Sequence, residues 1–81
     1  MTGIYNMSTH QLDTQRLLCP LPVIRVQDKI KELNNGDLLE VVCTDPGTMN
    51  DIPAWCRINE HLLKEKKEQN HQYLFLIEVV R

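Results

Sequence analysis

The sequence predicts a small α/β domain, and three observations carry that reading. Val23, Val26, Ile30 and Leu33 recur at steps of three and four, with Ile24 widening the stripe, which is helical periodicity. Two short runs rich in β-branched and aromatic residues, Leu38–Thr44 and the "YLFLIEVV" of residues 73–80, read as strands. These signals alternate along 81 residues, which leaves room for one domain.

The elements follow in order. Residues 1–9 are polar and are expected to form a flexible tail, with the domain spanning 10–81. A short strand is expected near Gln11–Thr14, anchored by Leu12. The first helix then runs from Pro20, and "NNG" at 34–36 ends it, since Asn and Gly tolerate the left-handed conformation. After the Leu38–Thr44 strand, Asp45-Pro46-Gly47 makes a turn. A second helix follows, capped by Thr48 or Asn50, with Met49, Ile52 and Cys56 on one face. Pro53 belongs in a first turn, which places the helix start at about Asn50–Ile52. Local propensity extends that helix through "HLLKEKKEQ" to about residue 68. "NHQ" at 70–72 then turns the chain into the last strand.

Composition narrows the function. An apolar fraction of 42% beside 25% charged residues describes a folded chain rather than a disordered one. A net charge of −2 speaks against a protein that grips nucleic-acid phosphates. No apolar run is long enough to span a bilayer, and "MTGIYNMSTH" lacks the pattern of a secretory signal, so the expected location is the cytoplasm. Three widely spaced cysteines, Cys19, Cys43 and Cys56, fit neither a disulfide framework nor a zinc site, so no metal is expected. Cys43 on a strand and Cys56 at helical spacing from Ile52 read as small core residues.

Cys19 differs, because "RLLCPLPV" sets it before two prolines. A residue before proline is pushed toward extended geometry, which suits a helix cap. Pro20 is then the first helical residue and Pro22 the third, and both lack N–H groups that a helix start leaves unpaired. Leu21 keeps its N–H, free to face whatever the cysteine carries, and the helix dipole favours negative charge there. That dipole is worth roughly 0.3–1 kcal/mol, against about 1.4 kcal/mol for each tenfold change in the thiolate population. A moderately activated thiol is therefore expected, with Arg16 and Arg25 as candidate cations beside it.

Leu12-Asp13, Cys19-Pro20-x-Pro22, Gly36 before a strand, Asp45-Pro46, Asp51-Ile52-Pro53 and Glu60-His61 together resemble the TusA family of small sulfur-carrier proteins (SirA-like). The resemblance covers residues 12–80. It implies a two-layer sandwich, a four-stranded mixed sheet with two helices on one face, in the order βαβαββ. On that order "HLLKEKKEQ" is the third strand, against its local propensity. The resemblance also implies that Cys19 carries a covalent persulfide and that no separate cofactor is needed. Sulfane sulfur would come from a cysteine desulfurase or a rhodanese-like sulfurtransferase and pass to a cysteine of a downstream relay protein. The outlets would be the tRNA 2-thiouridine pathway, molybdenum cofactor synthesis or sulfur oxidation. The free protein is expected to be a monomer that binds neither nucleic acid nor membrane. Because the Asp-Pro loop would lie at the cysteine end of the sheet, Asp45 joins Arg16 and Arg25 as a partner-contact candidate. Family members often read Gly-Leu-Arg before Cys-Pro, whereas this chain has Arg16-Leu17-Leu18. Two other readings of the same residues are a regulatory or interaction module with "CPLP" as a rigid cap, and a thiol redox sensor pairing Cys19 with Cys56.

Overall fold

The computed structural model describes residues 9–81. Its elements are β1 (Thr9–Thr14), α1 (Leu21–Ile30), β2 (Leu38–Cys43), α2 (Thr48–Ile58), β3 (Leu62–Gln69) and β4 (Gln72–Glu78). The order is βαβαββ, as the family resemblance implies. The expected tail lies outside the described residues except for Thr9, which opens β1 two residues before the expected strand start.

The strands form one mixed sheet in the order β1-β2-β4-β3. β1 and β2 are parallel, pairing Thr9 with Leu38 through Thr14 with Cys43. β4 runs antiparallel to both β2 and β3. Alternation along β2 shows how the sheet is used: Leu39, Val41 and Cys43 are fully buried, while Glu40 is exposed. The buried set joins Val26 and Ile30 of α1, Ile52 and Cys56 of α2, and Tyr73, Phe75 and Ile77 of β4 in one core. Each such aliphatic or aromatic side chain contributes about 1.5–3 kcal/mol by leaving water. Both helices therefore lie on one face of the sheet. Buried polar groups are satisfied: the hydroxyl of fully buried Thr14, for one, donates to the Val42 carbonyl at 2.8 Å.

Helix boundaries depart from the sequence expectation in instructive ways. α1 starts at Leu21, one residue late, with Pro20 as its cap residue and Pro22 in second position. The Cys19–Pro20 peptide is cis. α2 starts at Thr48 rather than at Asn50–Ile52, so Pro53 lies inside the helix. Its early start is supported by the Asp45-Pro46-Gly47 turn, whose carbonyls accept from the N–H groups of Thr48, Met49 and Asn50 at 3.0–3.1 Å. Neither Thr48 nor Asn50 supplies a side-chain cap; the Thr48 hydroxyl donates instead to the Asp45 carbonyl at 2.7 Å.

The largest conflict with local propensity is β3. Glu60 takes a left-handed φ of 63°, and His61 N–H reaches back to the Cys56 carbonyl at 2.9 Å while Glu60 N–H reaches Arg57 at 3.3 Å. This six-to-one and five-to-two pair closes α2 without a glycine. The chain then pairs with β4 along its length, interrupted by a bulge between Leu63 and Glu65. Asn70 and His71, both left-handed at φ 51° and 64°, form the two-residue turn that a tight hairpin favours. Pairing with β4 thus overrides a sequence that would be helical in isolation. Lys64 and Lys67 lie on this exposed strand and pair with Glu78 at 3.4 Å and Glu65 at 3.8 Å.

Candidate functional site

Because β1 and β2 are parallel and each is followed by a helix returning across the sheet, α1 and α2 begin at the same end of the molecule. Cys19 sits at that end, just before α1. It is partly exposed, whereas Cys43 and Cys56 are buried in the core. Arg16, where family members often have glycine, takes a left-handed conformation at φ 70°. Its N–H donates to the Thr44 hydroxyl at 2.8 Å, which anchors the approach to Cys19 against the end of β2.

Two carboxylates hold Cys19. Asp45, in the β2–α2 loop, accepts the Cys19 backbone N–H at 2.7 Å and the Gly47 N–H at 3.3 Å. These two hydrogen bonds hold its carboxyl below the usual carboxylate range. Asp51, exposed in the first turn of α2, accepts a hydrogen bond from the Cys19 thiol itself. Gly47 lies beside the thiol: a Cβ there would meet Cys19 Sγ at 3.4 Å, an ordinary contact distance.

The state of the thiol corrects the sequence expectation. The hydrogen bond to Asp51 is the main cause, followed by desolvation and the negative charges of Asp51 and Asp45, of a Cys19 pKa pushed up to about 12 from 9.0. That shift opposes the helix dipole, which at about 0.3–1 kcal/mol changes the thiolate population less than tenfold. The carboxylates win, and Cys19 rests as a protonated thiol rather than an activated one. The Leu21 N–H is likewise not free, since it donates to the Leu18 carbonyl at 2.8 Å and closes the turn that carries Cys19. Among the described residues, neither Arg16 nor Arg25 forms an ion pair.

Asp51 is the residue that sequence reasoning passed over. Its signal was present, because Asp51-Ile52-Pro53 belongs to the motif set that carries the family resemblance, but nothing local ties it to a cysteine 32 residues away. Leu18 and Leu21, close to Cys19 in the chain, and Ile24 in the first turn of α1 are 71%, 44% and 45% exposed, an apolar surface on the segment that carries the thiol. Trp55 is half-buried, packs against the core and stacks on His61 with ring centroids 5.4 Å apart. His61 accepts the Val80 N–H through Nδ1 at 3.1 Å and has its pKa lowered by burial and by Arg81.

Residues 10–79 match the family model described as sulfurtransferase TusA. The chain belongs to the TusA family. Among solved structures, it is similar to a SirA-like protein from Desulfitobacterium hafniense, with a TM-score of 0.77 and 20% sequence identity. The likeness covers 88% of this chain and 97% of that one, and at that identity it speaks to the fold. Membership in the TusA family brings a sulfurtransferase role. Among the described residues no helix is long and apolar enough to cross a membrane, and no three His, Cys, Asp or Glu side chains group in a way that could hold a metal ion.

Proposed function

We propose that the protein is a sulfur carrier that accepts sulfane sulfur as a persulfide on Cys19 and hands it to a cysteine of an acceptor protein. The observation that supports this is the placement of Cys19: of the three thiols it alone reaches the surface, in the family's Cys-Pro-x-Pro signature, where two helices begin. Loading is attack by sulfur on sulfur, as in thiol–disulfide exchange. The Cys19 sulfur bonds to the terminal sulfur of the donor's persulfide, the donor's S–S bond breaks, and its electron pair leaves on the donor cysteine. The proton lost by Cys19 is balanced by one gained at that cysteine, so no oxidant is consumed. Unloading repeats the exchange with an acceptor thiol.

The donor is a cysteine desulfurase or a rhodanese-like protein, and the outlet is one of those the family implies: tRNA 2-thiouridine formation, molybdenum cofactor synthesis or sulfur oxidation. No cofactor beyond the covalent sulfur takes part, and a reducing compartment such as the cytoplasm keeps Cys19 available between transfers. The redox-sensor reading loses its second thiol, because Cys56 is 1% exposed and burial pushes its pKa up to about 11. The test is incubation with a cysteine desulfurase and cysteine, followed by intact mass. A one-sulfur adduct is expected on the wild type and not on Cys19→Ser. No adduct on the wild type, or an equal one on Cys19→Ser, overturns the reading.

A further inference from the structure

The two carboxylates at Cys19 are held differently. Both oxygens of Asp45 take backbone N–H groups, so that side chain is fixed as part of the loop. Asp51 is exposed, and among the described residues its carboxylate receives only the Cys19 thiol. The charges around Sγ are one-sided. Asp45 faces it from the β2–α2 loop and Asp51 from α2. The first turn of α1 is Leu21-Pro22-Val23-Ile24, with no charge. The β1–α1 loop brings Arg16, which forms no ion pair among the described residues. The exposed carboxylate that takes the Cys19 S–H thus has no cation on it among the described residues and stands open to one from outside.

We propose that Asp51 gates Cys19: in the free carrier its carboxylate holds the sulfur as a thiol, and a cationic side chain on the docking partner pairs with that carboxylate and releases the sulfur for transfer. This rests on the sulfur-carrier reading. Asp51 is a positioning residue and forms no bond to the travelling sulfur. When the partner's cation takes its carboxylate, the thiol proton passes to solvent. The Cys19 sulfur then bonds to the terminal sulfur of the donor persulfide, the donor S–S bond breaks, and the departing donor sulfur takes a proton from solvent. Leu18, Leu21 and Ile24 supply the apolar area that a partner must cover, and covering it excludes water and strengthens the new ion pair. The gate protects the free carrier too, since oxidants and disulfides react with thiolates. Charge complementarity fixes the partner's chemistry: a basic group beside its own reactive sulfur, framed by apolar contacts.

The experiment reads the rate of Cys19 alkylation by iodoacetamide against pH in the free protein, by peptide mass, for wild type, Asp51→Asn and Asp45→Asn. Asp51→Asn is expected to react at least tenfold faster near neutral pH, with its profile moved to lower pH, and Asp45→Asn to move less. Asp51→Ser is measured beside them to separate loss of the carboxylate from any misfolding of one variant. Profiles of Asp51→Asn and Asp51→Ser that superimpose on the wild type overturn the gate. A second arm measures loading from a cysteine desulfurase with cysteine. Asp51→Asn is expected to need several-fold more desulfurase for half-maximal transfer, with kcat unchanged or higher and with weaker dependence on salt. An unchanged half-saturation and salt dependence overturns the cationic partner. The alkylation arm needs no sulfur transfer, so it judges the gate even if Cys19 takes no sulfur and the carrier reading itself fails.

Discussion

The molecule silences its thiols in two regions by two mechanisms. Cys43 and Cys56 lie in the core between helices and sheet, and burial pushes both pKa values up. Cys19 lies at the surface where the helices begin, and there the hydrogen bond to Asp51 is the main cause of a pKa pushed up to about 12. The difference is in what reverses each state. A buried thiol is exposed only by unfolding, at the cost of the whole domain. A thiol held by an exposed carboxylate, as Cys19 is by Asp51, is open to release by a local change of charge of the kind a docking partner carries. Reactivity therefore follows which groups can be displaced rather than pKa alone.

The comparison is broken most directly by removing either sulfur. Cys19→Ser is expected to abolish the one-sulfur adduct, whereas Cys56→Ser should load fully as long as it is folded; intact mass after desulfurase treatment separates them. In the core, Phe75 is 1% exposed, and Phe75→Ala should cost about 3–5 kcal/mol. That is a large part of the roughly 4–12 kcal/mol expected for a chain of this length, so the urea midpoint should collapse. The same change should leave Cys19 alkylation in the remaining folded molecules untouched. Cys56→Ser places a hydroxyl in the apolar core and should cost about 1–3 kcal/mol, read from the same denaturation curves.

Acid sharpens the contrast with smaller effects. The Asp45 carboxyl is held below its ordinary value in the folded protein, so its contribution is present above that ordinary value and is lost as pH falls through the lowered one. Asp45→Asn should flatten that part of the stability–pH curve, and a curve identical to the wild type would show that the loop does not depend on the charge. His61, also lowered, contributes stability above 6.5 that fades as pH falls through its folded pKa, because protonation removes the Nδ1 acceptor used by Val80. His61→Gln should remove a slight loss of thermal stability that sets in as pH falls below 6.5.

Much of this was legible in the chain itself. The apolar stripe of α1, the β-branched runs of β2 and β4 and the turn at Asn70-His71 are local patterns, and local patterns report local conformation. The two prolines after Cys19 likewise mark where a helix begins and single out one cysteine from three. Other features came only with the folded chain. β3 exists because β4 offers it a partner, against the propensity of its own residues. The Asp45 and Asp51 carboxylates reach Cys19 across 26 and 32 residues, brought there because parallel β1 and β2 start both helices at one end of the sheet. The charge state of a thiol depends on the groups within a few ångströms of its sulfur, and which groups those are is a property of the tertiary structure. The sequence determined which cysteine is presented; the fold decided that it is presented as a protonated thiol.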